Sequence, residues 1–275
     1  MTEVGVIIVS YNTRSELEAC LRALEAHPPG RSHEVTVVDN GSADGSPALV
    51  RAGWPGVRLI ETGANLGFAR AVNAGLRATE SRLVLLLNSD AVLPAGALDQ
   101  LTAVLDEDPT VTAVGPRLVD DEGRLEISFG PMLSPFNELW QKLLVVGHGR
   151  RFGPLSWMAR RRAERRRDVD WVSGACLLAR RAAVDAVGRL DERFFLYTED
   201  VDLCASLRAQ GGRVVYVPDV EVRHHRGRSR RHDPAGARTA YRRSHLAFYA
   251  KHPPRWRPLL KLYLRLRGEL PTGDV

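Results

Sequence analysis

The sequence has few of the features that mark disulfide-bonded, zinc-finger or membrane-spanning proteins. Its three cysteines, Cys20, Cys176 and Cys204, are far apart and form no CxxC pair, which predicts buried apolar side chains in a reducing compartment. The longest apolar runs, such as Leu83–Leu87, are far shorter than the roughly 20 residues that cross a bilayer. The acidic Glu3 is atypical of a signal peptide. We therefore expect a cytoplasmic protein.

Lysine is also scarce, and the charge is unevenly distributed. Three lysines stand against 36 arginines in the 275 residues. Residues 1–149 carry 11 Lys and Arg against 19 Asp and Glu, whereas residues 150–275 carry 28 against 14. The composition, 44% hydrophobic and 26% charged, is that of a globular chain and excludes disordered and fibrous proteins. The two halves should meet different partners.

Apolar runs alternate with amphipathic segments in the first part of the chain, which is typical of βαβ units around a mostly parallel sheet. The predicted strands are 4–9, 34–38, 57–60, 83–87, 170–179 and 213–217. The predicted helices start at a Thr13–Glu16 capping box and at an N-cap Ser46, and cover 65–79, 136–146, 155–167, 181–187 and 199–210. We expect one α/β domain over 1–234, with a nucleotide-binding half over 1–116 and a second half over 117–234. A basic helical extension over 235–275 follows it.

Polar residues follow several of the predicted strands of the first half. They are Ser10-Tyr11-Asn12, Asp39-Asn40-Gly41-Ser42, Asn65-Leu66-Gly67-Phe68-Ala69-Arg70 and Asn88-Ser89-Asp90. Each alone has an ordinary explanation as a turn or a helix cap. Ligands of doubly wound sheets bind beyond the carboxyl ends of the strands. Four polar segments on that edge therefore favour a binding site.

The chemistry of these side chains suits a nucleoside diphosphate. Asp39 can accept the imide N–H of a uracil or thymine base. A helix that starts near Gly67 can offer backbone N–H groups to a diphosphate. Asp90, a carboxylate after a buried strand, can hold a divalent cation that neutralises the diphosphate.

The same segments resemble the family 2 glycosyltransferases of GT-A fold, in particular the bacterial rhamnosyltransferase-like branch. The resemblance covers roughly residues 4–230 and continues through three further motifs. These are Trp171-Val172-Ser173-Gly174-Ala175, then Phe194-Phe195-Leu196-Tyr197-Thr198-Glu199-Asp200-Val201-Asp202-Leu203, and His224-x-x-Gly227-x-Ser229. The resemblance implies an inverting transferase that uses a nucleotide-diphospho-sugar and Mg2+ or Mn2+.

The resemblance also implies roles for individual residues on the donor side. Asp39 would bind the base, and Asp90 would be the metal-binding end of a DxD-like motif that here reads Asn-Ser-Asp. His224 would supplement this single carboxylate as a metal ligand, because neutral imidazole binds Mn2+ well; the adjacent His225 remains an alternative. The other expected donor-site residues are Ser10, Tyr11, Asn12, Asn65, Gly67, Arg70 and Ser89.

On the acceptor side, the resemblance makes Asp200 the general base, which a sugar hydroxyl needs in order to attack the anomeric carbon. Trp171, Gly174 and Glu199 are the expected acceptor-binding residues. Composition alone would explain the acidic cluster by the helix dipole, since acids favour the first turn of a helix. Two positions depart from the family pattern: Ser206 replaces an arginine and Arg226 replaces a glycine. They put contacts with the acceptor and the diphosphate in doubt.

The basic second half has three explanations. The segment from Tyr241 to Arg267 interleaves arginines with aromatic residues, which suits an anionic membrane surface on the inner face of the cell membrane or a lipid-diphosphate acceptor. A solvated face packed on the core by its aromatic side is the alternative. The arginine clusters around 150–151 and 160–167 allow nucleic acid as a third, but no nucleic-acid-binding motif is present and we expect none.

The expected function is transfer of a sugar, rhamnose from dTDP-rhamnose, to a cell-surface or lipid-linked glycan. One alternative is a UDP-sugar-dependent transferase of the same fold, for galactofuranose, glucose or an N-acetylhexosamine. Another is a non-catalytic nucleotide-sugar-binding or basic peripheral membrane protein. The presence of Asp39, Asp90 and Asp200 together argues against the non-catalytic alternative.

Overall fold

The computed structural model describes residues 2–150, 152–225 and 234–271. Its strands are β1 (Thr2–Ser10), β2 (His33–Asp39), β3 (Arg58–Glu61), β4 (Ser81–Asn88), β5 (Ala91–Val92), β6 (Val111–Val119), β7 (Leu125–Glu126), β8 (Phe129–Gly130), β9 (Arg167–Val169), β10 (Trp171–Val172), β11 (Cys176–Arg180) and β12 (Arg213–His224). Its helices are α1 (Arg14–Ala26), α2 (Ser46–Gly53), α3 (Phe68–Ala78), α4 (Ala97–Glu107), α5 (Pro135–Gly149), α6 (Gly153–Arg162), α7 (Arg181–Ala186), α8 (Glu199–Ala209), α9 (Pro234–Lys251) and α10 (Arg257–Leu266). Arg151, Arg226, Gly227 and Ser229, which the sequence analysis singled out, lie outside the described residues.

The central sheet has the strand order β3-β2-β1-β4-β11-β6-β12-β5. Strands β3, β2, β1 and β4 are parallel to one another, β11 is antiparallel to both β4 and β6, and β12 is parallel to β6. Successive side chains of a strand point to opposite faces, so Val6 and Ile8 of β1 enter one core with α1 and α4, and Ile7 enters the other with α3 and α8. The predicted α/β sheet flanked by helices is confirmed.

The predicted start of α1 is confirmed, with Thr13 as its N-cap, whereas the predicted starts of α2 and α3 are wrong by one and by three residues. Thr13 makes no capping bond; its hydroxyl lies 3.1 Å from that of Ser10 and 2.8 Å from that of Ser89. Gly45, with a left-handed backbone, is the N-cap of α2 in place of Ser46. Helix α3 begins at Phe68, and the residues before it form a loop that is bonded to β2.

In the second half, the predicted helix over 155–167 ends at Arg162, and β9 begins at Arg167. The predicted strand over 170–179 is interrupted, because β10 ends at Val172 and β11 begins at Cys176. The intervening turn reaches α8, where the N–H of Gly174 donates to a carboxylate. The interruption between β10 and β11 therefore places Gly174 beside the start of α8.

The predicted helical extension consists of α9, a 3-10 turn (Pro254–Trp256) and α10. Its aromatic residues do not form one exposed face, since Phe248 and Tyr249 are buried against Phe194 of the main body. Asp202 of α8, which is 1% exposed, accepts a hydrogen bond from Lys251 Nζ at 2.9 Å and lies 2.7 Å from His252 Nε2. Helix α9 is thereby fixed to α8.

All three cysteines are buried and free, as predicted. None of the described helices combines the length and the apolar content that crossing a bilayer requires.

Candidate active site

The register of the sheet brings the polar strand ends to one edge. Ser10 at the end of β1 pairs with Asp39 at the end of β2. Strand β11 is antiparallel to β4 and begins where β4 ends, with Cys176 beside Leu87, so the turn before β11 meets the turn after β4. The end of β12 pairs with β5, which follows directly after Asp90. Side chains from both halves of the chain therefore converge.

The end of β2 shapes the donor side of this edge. Asp39 is buried; its Oδ2 accepts the N–H of Ser42 at 3.0 Å, whereas its Oδ1 has no hydrogen-bond partner among the described residues. The Asn40 side chain donates to Asn65 Oδ1 at 3.0 Å and accepts from the N–H of Leu66 at 2.9 Å. The loop before α3 is thus held on β2, and Asp39 keeps one unused acceptor.

Gly67 is required where this loop meets the segment before α8. Its φ is +87°, and an added Cβ would lie 2.5 Å from the carbonyl oxygen of Phe195. The same oxygen accepts the N–H of Phe68 at 2.7 Å, and Asn65 Oδ1 accepts the N–H of Gly67 at 3.1 Å. The N–H groups of residues 66–68 are bonded within the protein, so in this conformation they are not free for a diphosphate.

A second group of side chains surrounds His224. Its Nε2 lies 3.3 Å from Asp90 Oδ1, and its Nδ1 lies 2.9 Å from Glu126 Oε2; all three side chains are at most 9% exposed. Burial by itself lowers the pKa of His224, but hydrogen bonds to Asp90 and Glu126 outweigh it and raise the pKa to about 9. In this arrangement the imidazolium pairs with both carboxylates. A cation bound at Nε2 would displace the proton of that nitrogen, and Glu126 at Nδ1 would then be the hydrogen-bonded outer partner.

His225 is placed differently from His224. Its backbone N–H donates to the Asp90 carbonyl at 2.8 Å, but its side chain pairs with Asp121. Of the two histidines, His224 is therefore the one whose ring faces the Asp90 carboxylate.

Asp200 lies at the start of α8 and forms a third part of the site, together with the end of β2 and the His224 group. Its Oδ2 accepts the N–H of Gly174 at 2.8 Å and its Oδ1 accepts the N–H of Val201 at 2.8 Å. A Cβ at position 174 would lie 3.2 Å from Asp200 Cβ, so a larger residue there would crowd the Asp200 side chain. Burial raises the pKa of Asp200, while the two N–H hydrogen bonds lower it in part. The carboxylate is oriented and is more basic than a solvated aspartate.

Glu199 differs from its neighbour. It is buried, and its Oε2 has no hydrogen-bond partner within the described ranges. Burial, and after it the negative charge of Asp200, raise the pKa of Glu199 well above its ordinary value. When two adjacent carboxyl groups differ in this way, the more buried one keeps its proton and the hydrogen-bonded one ionises first. This asymmetry favours Asp200 as the base.

The backbone that leads into α8 is strained. Tyr197 and Thr198 have φ values of +69° and +63°, a region that costs a non-glycine residue roughly 1–3 kcal/mol. The Thr198 hydroxyl is buried and has no partner in the part of the chain that the structure describes. Strain of this kind persists where the surroundings over-determine a conformation, and it is common at functional sites.

These walls enclose a cleft of about 420 Å3. The predicted site residues that line it are Tyr11, Asn65, Gly67, Ser89, Asp90, Gly174, Glu199, Asp200 and His224. Ser10, Asn12 and Asp39 are not among the residues that line it. The Ser10 hydroxyl lies 3.1 Å from that of Thr13, and Asn12 Oδ1 accepts the N–H of Ala43 at 2.8 Å.

Two predicted residues lie away from this cleft. Arg70 is exposed, and its Nε lies 3.5 Å from Glu192 Oε2. Trp171 donates to the carbonyl of Pro131 at 2.9 Å and lines a neighbouring apolar cleft with Tyr241.

Comparison with known proteins decides the family. The family described as "Glycosyltransferase like family 2" matches residues 2–257. The N-acetylglucosaminyl-diphospho-decaprenol L-rhamnosyltransferase of Mycobacterium tuberculosis is 36% identical over 96% of this chain and 90% of its own length. The chain belongs to glycosyltransferase family 2. The predicted family and the predicted glycosyltransferase activity are both confirmed.

Solved structures show that this family 2 glycosyltransferase has the predicted GT-A fold. A mannosyltransferase from Pyrobaculum calidifontis in complex with GDP-Man and Mn2+ superposes with a TM-score of 0.61 at 22% identity, covering 94% of this chain and 68% of its own. The first 349 residues of S. aureus TarS, in complex with UDP, give a TM-score of 0.59 at 16% identity, covering 90% and 66%.

The residues of this glycosyltransferase fit a divalent cation that takes few ligands from the protein and the rest from phosphate oxygens and water. In the described ranges, no three His, Cys, Asp or Glu side chains are grouped so as to hold a metal ion by themselves. Asp90 Oδ1 and His224 Nε2 nevertheless face each other in the cleft, and Glu126 can accept the proton of Nδ1. Mg2+ and Mn2+ commonly bind through one or two protein ligands together with phosphate oxygens and water.

Sequence reasoning missed several residues of the transferase site. Glu126 comes from the two-residue strand β7, which has no motif of its own, and only its pairing with β6 brings it to His224. Phe195 contributes a backbone oxygen, which no sequence pattern reveals. Gly236 and Ala237 at the start of α9 close one side of the cleft, although the sequence analysis assigned them to the extension.

Proposed function

We propose that this glycosyltransferase transfers rhamnose from dTDP-rhamnose to an N-acetylglucosaminyl-diphospho-prenol. The observation that carries the proposal is the single cleft with Asp90 and His224 on one wall and Asp200 on another. The mycobacterial relative, similar over nearly its whole length, supports the sugar and the lipid-linked acceptor.

The donor would lie along the carboxyl ends of β1, β2 and β4. Asp39 would accept the imide N–H of the base, which would supply the partner that its Oδ1 lacks. That oxygen is covered by its neighbours, so binding of the base must uncover it. Arg70 would have to leave Glu192 to reach the donor. The other donor contacts that we propose are Ser10, Tyr11, Asn12, Asn65, Gly67 and Ser89.

Asp90 and His224 would hold Mn2+ or Mg2+. When bound, the cation would neutralise the charge on the diphosphate and make it a better leaving group. The Mn2+ in the structure of the Pyrobaculum calidifontis mannosyltransferase supports a divalent cation in this fold.

The acceptor would approach from the side of α8, past Trp171, Gly174 and Glu199. Asp200 would take the proton of the attacking hydroxyl, and the hydroxyl oxygen would bond to the anomeric carbon. The bond from that carbon to the diphosphate would break, and the diphosphate would leave with the electron pair. Attack from the face opposite the leaving group inverts the anomeric carbon. A protonated Glu199 could donate a hydrogen bond to an acceptor hydroxyl and so orient it.

The test is transfer by the purified full chain with Mn2+ or Mg2+. Product is measured by mass spectrometry after incubation with N-acetylglucosaminyl-diphospho-farnesol and dTDP-rhamnose, with UDP-glucose, UDP-galactofuranose and UDP-N-acetylglucosamine as parallel donors. We expect product with dTDP-rhamnose that disappears with EDTA. Product with a UDP-sugar alone would assign the transferase a different donor, and no product with any donor would contradict the proposal.

A lipid-linked acceptor requires the transferase to meet a membrane, and the surface supports a docking face. Among the described residues, 14 large hydrophobic side chains are exposed, and 12 of them lie on α5, on α10, within α6 or directly before it. They include Phe136 at 72%, Trp157 at 61% and Leu266 at 79% exposure. Monomeric soluble proteins rarely expose so many large apolar groups together.

The charge around this docking face is almost entirely positive. Helices α5, α6 and α10 carry seven Lys and Arg and a single acid, Glu138. Glu138 points inward: its Oε1 accepts from Tyr249 at 2.5 Å and lies 2.9 Å from His245 Nε2. Apolar side chains with basic neighbours are the pattern of helices that lie on anionic leaflets. We therefore propose peripheral docking through α5, α6 and α10.

Vesicle co-sedimentation at low and high salt tests the docking face. We expect binding to vesicles of phosphatidylglycerol and phosphatidylcholine, weak binding to phosphatidylcholine alone, and loss of binding as salt screens the charges. Each basic residue near such a surface contributes about 1 kcal/mol, so even a few give a measurable partition. Equal recovery with both vesicles, or with neither, would contradict the proposal.

A further inference from the structure

An apolar cleft of about 700 Å3 lies beside the catalytic cleft, between α5, α9 and α10. Leu139 of α5 and Leu259 and Tyr263 of α10 form its walls, and they are 59%, 47% and 43% exposed. Trp171 and Tyr241 also line it. Large apolar side chains that line a concave surface and remain about half exposed are typical of a ligand-binding site. Side chains that serve only to pack the fold are usually buried.

The charged groups of this apolar cleft are mostly basic. Lys142, Arg242 and Arg267 line it together with one acid, Glu138, which is already engaged by His245 and Tyr249. Arg242 and Arg267 share a single carboxylate, that of Glu269. The cleft therefore keeps an excess of positive charge, which suits a ligand with an apolar body and an anionic end.

The apolar cleft adjoins the catalytic cleft. The ring of Tyr241, in the apolar cleft, meets the ring of Tyr197, in the catalytic cleft, edge to face at 5.8 Å. Trp171 is three residues before Gly174, which holds Asp200. Leu139 of α5 and Leu259 of α10, which belong to the exposed apolar side chains of the docking face, also line the apolar cleft. The apolar cleft thus shares residues with the docking face and adjoins the cleft that holds Asp200.

We infer that this cleft binds the first isoprenoid units of a prenyl-diphosphate-linked acceptor, with Lys142, Arg242 and Arg267 toward the diphosphate. The inference rests on the proposed function, since it explains how a lipid-linked sugar would reach Asp200. It assigns the chain a lipid site separate from the donor site.

Direct binding tests the site without turnover. Farnesyl diphosphate, below its micelle concentration and with EDTA present, is titrated into the full chain by calorimetry, in parallel with inorganic diphosphate and farnesol. We expect farnesyl diphosphate to bind at least tenfold more tightly than either. Binding no tighter than that of inorganic diphosphate would overturn the inference, because an anion site alone would explain it.

Matched variants on one helix locate the site. Leu259→Gln changes a residue of the cleft, whereas Leu266→Gln makes the same change on α10 outside the lining, at 79% exposure. We expect Leu259→Gln to weaken farnesyl diphosphate binding about tenfold and Leu266→Gln to change it less than twofold. Leu139→Gln on the opposite wall should repeat the first effect, and a melting curve of each variant checks folding. Equal effects of the two α10 variants would overturn the inference.

The outcomes separate this inference from the proposed function. Specific binding of farnesyl diphosphate without sugar transfer from any donor would leave the lipid site standing and contradict the proposed reaction. Transfer to N-acetylglucosaminyl-diphospho-farnesol together with Leu259-independent binding would leave the reaction standing and overturn the lipid site.

Discussion

Replacing Asp200 by asparagine removes the proton acceptor while keeping the size of the side chain. Loss of a general base lowers turnover by about 10²- to 10⁴-fold, equivalent to about 2.7–5.4 kcal/mol in the barrier. The structure adds a smaller cost. Asp200 accepts N–H groups of Gly174 and Val201 with different oxygens, and an amide offers only one acceptor. One hydrogen bond is lost, at about 1 kcal/mol of stability.

The assay separates these two effects. Initial rates at saturating donor and acceptor report the chemical step, calorimetry with the nucleotide-sugar reports donor binding, and a melting curve reports stability. We expect donor affinity within a few-fold of that of the unmodified protein and a turnover at least about 10²-fold lower. Glu199→Gln is the matched control at the neighbouring position, and it should lower turnover less, because the raised pKa of Glu199 favours its protonated form over a base.

The pH dependence of turnover tests the role of Asp200 independently. A base must be deprotonated, and burial raises the pKa of Asp200, so turnover should fall as the pH drops through that raised pKa. Asp200→Asn should lack this acidic limb. Turnover within a few-fold of normal, with the limb retained, would refute the assignment and pass the role to Glu199. Asp202 could not take it, since Lys251 and His252 occupy its carboxylate.

Four further substitutions test other parts of the site and fold. Asp90→Ala should weaken metal-dependent nucleotide binding by at least about tenfold in titration calorimetry, and His224→Ala should show a milder form of the defect; unchanged metal dependence in the Asp90 variant would contradict the metal role. Gly67→Ala should destabilise the fold by about 2 kcal/mol, seen as a lower melting temperature, because its φ is +87° and the new Cβ would meet Phe195; an unchanged melting temperature would contradict the close packing. Asp202→Asn should cost about 2 kcal/mol in denaturant unfolding without a direct effect on donor affinity, and a selective loss of donor affinity would argue for a role in the site.

The donor side of the site could be predicted because each of its residues ends a buried strand. A hydrophobic run followed by Asp39 or Asp90 predicts where that aspartate lies, because the carboxyl ends of parallel strands meet at one edge of the sheet. Asp200 needed the family pattern, because an acid in the first turn of a helix is ordinary.

Contacts between distant segments could not be read in this way. Glu126 reaches His224 only through the pairing of β7 with β6, and the Phe195 carbonyl acts through backbone geometry alone. The helix over 136–146 was predicted, but whether its apolar face would be covered depends on tertiary packing. The arginine-aromatic pattern of the extension was equally ambiguous: the structure buries Phe248 and Tyr249 and leaves Leu266 exposed.

The bonds from Lys251 and His252 to Asp202 have a consequence for shortened versions of the chain. A protein that ended after residue 234 would leave Asp202 buried without its cationic partners, and it would uncover Phe194 and Val201, which pack against α9. A buried carboxylate without a counter-charge is severely destabilising, and the uncovered apolar surface favours aggregation. Removing the basic C-terminal residues to improve solubility should therefore lower solubility. A screen for shorter crystallisable fragments should keep the chain through α10.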